Sequence, residues 1–166
     1  MKIEFYDTTL RDGAQAEGIS FSVEDKKQIF ALLDGFGIDL VEGGDPASNP
    51  KDAEFFAECR SSKLVAFGAT RHRDKKVFED AGLARLLEAD TPTVCIFGKT
   101  SLSQVKDVLG VTPEENLTMI SESVDFLKLH GKRVIFDAEH FYDGYRENKL
   151  YALTALSAAY NHSDRK

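Results

Sequence analysis

The sequence predicts an α/β protein built on a parallel sheet, and three observations predict it. Short apolar runs, KIEFYD, IDLVEGG, LVAFGAT, TVCIFGK and RVIFDAE, recur along the chain. Each is followed by a longer stretch with helical spacing, the alternation of a βα repeat. The runs are nearly continuous in apolar residues instead of alternating, as strands are when helices cover both faces. Repeats of this kind close as an eight-stranded barrel or lie open as a doubly wound sheet, and periodicity does not choose between the two.

Five strands are expected, near residues 3–6, 38–42, 64–67, 93–97 and 133–136. After the first, Ser22 with Asp25 three residues later forms a capping box. Ile29, Leu32, Leu33 and Phe36 then fall on one helical face, and Gly35 and Gly37 end the helix. Asn49-Pro50 opens the next helix, with proline at its first position. Thr112-Pro113-Glu114-Glu115 opens a later one by the same rule. Its buried stripe is Leu117, Ile120, Val124 and Leu127, closed by Gly131. A fifth helix is expected near 148–160, before the polar tail NHSDRK. No low-complexity segment or linker interrupts the pattern, so 1–166 reads as one domain.

A chain of 166 residues with 42 % hydrophobic and 30 % charged residues can bury a real core. No apolar run approaches the roughly 20 residues a bilayer requires. The N-terminal MKIEFYDTTL lacks a secretion pattern, so a cytoplasmic location is expected. A net charge of -7 repels nucleic acid and anionic membranes, and neither is expected as a partner. An anionic ligand must therefore meet positive groups gathered locally. Cys59 and Cys95 lie far apart, in patterns that read as helix and apolar strand, and are expected to be packing residues.

Ionisable and polar residues follow every expected strand: Asp7, Arg11 and Asp12, then Glu42, then Thr70 and Arg71, then Lys99 and Thr100, then Asp137, Glu139 and His140. Loops are polar in any protein, but five strand ends carrying such groups point to a shared site, because both parallel architectures place their sites there. Within TTLRDGAQ, Gly13 is expected to let the loop turn tightly, and Arg11 beside Asp12 offers a fixed cation next to a hard oxygen ligand. Spacing alone leaves an exposed ion pair of little energetic worth equally open.

DTTLRDGAQ resembles the opening motif of the DRE-TIM metallolyase superfamily, the metal-dependent TIM-barrel lyases and synthases that include isopropylmalate synthase, homocitrate synthase, citramalate synthase and hydroxymethylglutaryl-CoA lyase. The resemblance continues through VEGGDPASNPKD, LVAFGATR, IFGKT, EENLTMI and FDAEHFYDGY, nearly the whole chain, and is strongest to the citramalate synthases. It implies a (β/α) TIM-barrel fold, here a partial barrel of about five βα units. It also implies condensation of acetyl-CoA with a small α-keto acid such as pyruvate, assisted by a divalent metal (Mg, Mn or Zn). On matching positions it makes Asp12 the metal's carboxylate ligand and Arg11 the group that stabilises the developing oxyanion. Glu42 would hold Arg11 and the metal's water shell, Gln15 would orient the keto acid, and Glu139 would lie near the reacting carbonyl. Thr70 and Arg71 would face substrate, and the cations of TRHRDKK could meet CoA phosphates or simply be a solvated helix start. His140 reads as a packing histidine, and the resemblance identifies no general base.

The chain also departs from the family. A full barrel needs about 250 residues, and here three βα units are missing, together with the His-x-His pair that would complete the metal site. NHSDRK offers only Asn161 and His162, and Gln104 stands where citramalate synthases carry a histidine. A metal held by Asp12 without that pair is expected to bind weakly or not at all. Two open strand edges invite another copy or a completing chain. The leading expectation is thus the N-terminal portion of an acyltransferase, inactive alone if the missing parts are required. An acyl-CoA lyase and a non-catalytic binding or regulatory module are the alternatives.

Overall fold

The computed structural model describes residues 3–160. Its five strands are β1 (Tyr6–Asp7), β2 (Leu40–Gly44), β3 (Leu64–Ala69), β4 (Thr93–Lys99) and β5 (Arg133–Glu139). They form one sheet in the order β1-β2-β3-β4-β5, and the β1–β2 and β2–β3 pairings are parallel. That order settles what periodicity left open, because a doubly wound sheet reverses its strand order at a switch point and this one steps always to its next neighbour. The fold is α/β of the TIM-barrel type with five βα units. The helices are α1 (Val23–Phe36), α2 (Pro50–Glu58), α3 (Ala81–Glu88), the short α4 (Leu102–Gln104), α5 (Pro113–Leu129), α6 (Phe141–Glu147) and α7 (Lys149–Tyr160). Among the described residues no helix is long and apolar enough to cross a membrane.

Backbone contacts divide the chain into two compact units. The first runs to Gly68 and includes Arg85–Cys95; the second holds Ala69–Ala84 and everything from Ile96 onward. In the first unit Leu10, Val41, Phe55, Phe56, Leu64 and Val65 are buried. Helix α1 starts where the capping box was expected, with the Ser22 and Asp25 side chains each bonded to the other's backbone amide. It ends at Gly37 in the left-handed conformation, φ 91°. Its buried face differs from the expected stripe. Leu32 and Phe36 are 74 % and 86 % exposed, while Phe30 and Lys26 are the buried residues.

Lys26 is buried because its ammonium finds partners that no helical pattern reveals. It pairs with the Asp52 carboxylate and donates to the Gly43 carbonyl at 2.8 Å. Asp52 in turn accepts from the Asp45 amide at 2.9 Å. The same carboxylate fills the place a side chain at Gly44 would need, and Gly44 has φ +142°, so glycine is required there twice over. The register shift between Glu42 and Gly44 falls at this point and ends β2.

In the second unit α5 carries its expected stripe, with Ile120, Val124 and Leu127 buried and Leu117 partly so. Thr112 caps its start, its hydroxyl accepting from the Glu115 amide. The expected last helix is present as α7, preceded by α6, which the spacing did not indicate. Gly144 lets α6 approach the backbone of Thr100 and Ser101, where a side chain would strike it. Strand β5 is only partly buried along its length. Cys95 is buried and Cys59 partly so, and burial raises the Cys59 thiol above its ordinary value despite nearby Lys27, which suits packing residues.

Replacing Lys26 by Met leaves Asp52 buried without its cation. Chemical denaturation is expected to show a loss of about 3–5 kcal/mol. A loss under about 1 kcal/mol would mean the pair does not fasten α1 to the end of β2.

Candidate functional site

The loop after β1 is built on one carbonyl. The amides of Arg11, Asp12 and Gly13 all donate to the Thr8 oxygen, at 3.1, 2.9 and 3.2 Å. Asp7 holds the other side of the turn, accepting from the Thr9 amide at 2.9 Å. Gly13 is not what permits this bend: an added side chain would meet only Thr9, at ordinary contact distance. The converging amides carry the turn, which runs into the 3-10 segment Gly13–Gln15.

The arginine of this loop is clamped from several sides. Its Nε donates to one oxygen of Glu42, and the guanidinium carbon lies 3.9 Å from the centre of the Phe67 ring. Its Nη1 donates to Asp12 at 3.2 Å. Glu42, projecting from β2 and 1 % exposed, receives the Tyr6 hydroxyl on its second oxygen. Burial first, then neighbouring Cys95 and Glu42, push the Tyr6 phenol well above its ordinary value, so it remains a donor. Arg11 and Gln15 border a hollow of about 320 Å³ that also meets Lys26, Asp45, Asn49 and Phe67. Gln15 and Asp12 are exposed, Asp12 with a side chain 64 % accessible.

In the second unit Arg71 is buried, and its donors are engaged. Nε meets Glu122 at 2.7 Å, Nη2 meets Glu115 at 2.9 Å, and Nη1 meets the His72 carbonyl at 3.3 Å. Its amide donates to Ser123 Oγ at 2.9 Å. Burial acts to weaken the guanidinium's basicity, but the hydrogen bonds to Glu122 and Glu115 outweigh it and raise its pKa. Thr70, half-buried, donates its amide to the Phe97 carbonyl at 3.1 Å. Of the other TRHRDKK cations, Arg73 is fastened to the carbonyls of Leu109 and Gly110, and Lys75 and Lys76 are exposed.

Glu139 ends β5 and pairs with Lys99 at the end of β4. Thr100 fixes its backbone, donating through its amide and its hydroxyl to the Glu139 carbonyl at 3.1 and 2.7 Å. Asn116, fully buried, holds Lys99 from behind by donating to its carbonyl at 2.8 Å and to the Tyr151 hydroxyl at 2.8 Å. His140 departs from its expected packing role. It is exposed, in the left-handed conformation (φ 59°), at the residue that precedes α6. Gln104, partly buried, closes α4 before the π-helical turn Val105–Leu109. Asn161 and His162 lie outside the described residues.

The structure thus joins Arg11, Asp12 and Glu42, and joins Glu139 to Lys99. Tyr6, Phe67 and Asn116 belong to these assemblies without having been anticipated. Tyr6 sits inside an apolar run, and only its phenol, one residue before Asp7, marked it as different. Phe67 carried no signal separating it from the core.

An α/β chain of barrel winding, with charged groups held at its strand ends, defines the class of parallel-barrel proteins that carry sites on that face. The chain belongs to the HMGL-like family, whose model matches residues 2–162. It is 53 % identical over 163 residues to an (R)-citramalate synthase from Aquifex aeolicus, covering 95 % of this chain and 31 % of that protein. It is 50 % identical over 162 residues to one from Sulfolobus acidocaldarius, with the same coverages, and 33 % identical over 157 residues to a probable 2-isopropylmalate synthase from Methanopyrus kandleri. The chain therefore spans about a third of the length of these curated relatives. Among solved structures, an HMG-CoA lyase from Bacillus subtilis superposes with a TM-score of 0.75 at 16 % identity, over 98 % of this chain and 55 % of that one, a likeness of fold.

The resemblance carried by DTTLRDGAQ implies a divalent metal. Asp12 fits such an ion in kind, as an exposed hard oxygen donor, but not in number. Among the described residues no group of three or more His, Cys, Asp or Glu side chains could hold a metal. A hard cation needs about six oxygen donors, so Asp12 supplies one ligand and not a site.

Glu147 of α6 binds the start of α4, accepting from Ser101 Oγ at 2.7 Å and from the Ser103 amide at 3.1 Å. The Ser101 bond first, then those from Ser103, hold its carboxyl below the ordinary value against a contrary effect of burial. A depressed folded-state pKa contributes stability above the unfolded value, lost as pH falls through the folded one. Glu147→Gln should therefore be less stable than wild type at neutral pH in denaturant titrations. The difference should shrink on acidification below the ordinary glutamate value, and a pH-independent gap would contradict the assignment.

Proposed function

We propose that this chain is the N-terminal portion of an acyltransferase that condenses acetyl-CoA with a small α-keto acid, pyruvate giving citramalate. The observation that carries the reading is the match, at about half identity over 95 % of the chain, to citramalate synthases, in a chain that holds Arg11 on a buried Glu42.

The reaction makes a bond between the acetyl methyl carbon and the keto carbonyl carbon. The methyl proton goes to a base, the carbonyl oxygen becomes an alkoxide and then a hydroxyl, and water cleaves the thioester to release CoA thiol. Arg11 is the residue that meets the alkoxide: a guanidinium fixed in advance by Glu42 and Phe67 loses no orientation when negative charge develops. Glu42 acts through Arg11. Gln15, exposed beside the same hollow, orients the keto acid. Glu139 is the proposed catalytic carboxylate near the reacting carbonyl, its position set by Lys99 and Thr100. Thr70 and Arg71 serve the substrate side by fixing the loop after β3. Asp12 would be one ligand of a divalent ion, which would supply polarisation of the keto carbonyl. The expected setting is cytoplasmic, with another copy or a completing chain supplying what the five units lack.

Mixing protein, divalent metal, acetyl-CoA and pyruvate should release free thiol. Activity confined to a longer form of the polypeptide would assign the function to the complete barrel. Cleavage of a hydroxyacyl-CoA without net thioester hydrolysis would favour the lyase reading, and silence from both forms with every keto acid would favour a binding or regulatory module. In the active form, Asp12→Asn is expected to abolish metal-dependent turnover. Its exposure keeps the stability change within about 0.5 kcal/mol, and turnover at the wild-type rate would remove Asp12 from the site.

A further inference from the structure

We infer that Tyr6 is a positioning residue that sets the direction of the Arg11 guanidinium through Glu42. Glu42 is 1 % exposed and presents two oxygens, one to the Tyr6 hydroxyl and the other to Arg11 Nε. A carboxylate facing arginine alone takes the two-point fork geometry, with both oxygens on the guanidinium. Tyr6 donates to the second oxygen, so Glu42 divides its two oxygens between the phenol and Arg11 Nε. That leaves the guanidinium plane free to lie against Phe67, 3.9 Å from the ring centre, with Nη1 turned toward Asp12. The negative charge of Glu42 is shared between two donors, and Arg11 keeps more of its field for an anion.

The position of Tyr6 supports the role. It is one of the two residues of β1, in register with Leu40 of β2, two residues before Glu42. Its raised pKa, caused first by burial, keeps it a hydroxyl donor throughout the working range. The Cys95 thiol neighbours the same phenol.

Two measurements test this, and only the second rests on the acyl-transfer reading. In the chain as it stands, the Arg11 Nε–H cross-peak in a ¹H–¹⁵N spectrum, assigned by its loss in Arg11→Lys, should shift in Tyr6→Phe. An unmoved peak in a folded Tyr6→Phe protein overturns the inference whatever the enzyme does. In the form that releases CoA thiol, Tyr6→Phe should lower kcat about tenfold, corresponding to about 1.4 kcal/mol, with the keto-acid KM changed less than twofold. In a Glu42→Gln background the same substitution should have almost no further effect, because Tyr6 acts only through that carboxylate. Losses that simply add would make Tyr6 a packing residue and overturn the inference. Absence of thiol release from the parent would instead overturn the proposed function, with the spectrum still deciding the role of Tyr6.

Discussion

A buried carboxylate organises the first unit. An acid such as Glu42, almost wholly removed from water, costs several kcal/mol unless its oxygens meet donors, and the fold supplies them from β1 and from the loop behind it. That demand reaches outward. Arg11 must lean back into the unit, so the loop from Thr8 must turn within three residues, and three amides converge on one carbonyl to achieve it. Asp12, next in sequence, is thereby turned to solvent. An exposed acid beside a sequestered base is thus a mechanical consequence of Glu42 needing a cation.

The second unit solves the opposite problem. Arg71 is the buried charge; two acids two turns apart on α5 neutralise it, and the Ser123 hydroxyl accepts from its amide. This fastens the segment after β3 to α5. Lys99 and Glu139 repeat the device at a smaller scale, with Asn116 and Thr100 gripping their backbones. In both units the charged groups at strand ends are engaged with each other, so what they offer a ligand is direction and field strength more than open charge.

The strands and most helices were legible because burial writes a period into sequence. Five apolar runs gave five strands, though β1 shortened to Tyr6–Asp7 and β5 extended to Glu139. Strand order was not legible, since alternation is common to barrels and open sheets. The buried face of α1 was misread for a definable reason. Lys26 counts as polar in any pattern, and its burial depends on Asp52, 26 residues away. The same limit hid Tyr6, whose partner Glu42 is 36 residues distant, and gave Arg71 the look of a free cation when its partner Glu122 is 51 residues on. Motif similarity pointed to Arg11, Asp12 and Glu42 but said nothing of what sets their geometry. His140 shows the converse error, an expected packing residue that the end of β5 turns outward to start α6.

The two requirements of the proposed chemistry differ in how much of the protein they need. Tyr6, Arg11, Glu42 and Phe67 come from β1, the first loop, β2 and β3, and all four lie in the first unit. Toward a metal the described residues offer one exposed carboxylate, Asp12, which is a ligand and not a site. In the proposed chemistry, oxyanion stabilisation and electrophile activation would therefore draw on different groups. The first would rest on Tyr6, Arg11, Glu42 and Phe67, whereas the second would need ligands beyond Asp12. Asp12 nevertheless touches the arginine, because Arg11 Nη1 donates to its carboxylate at 3.2 Å, so a change at the proposed metal ligand would reach the Tyr6–Glu42–Arg11 chain.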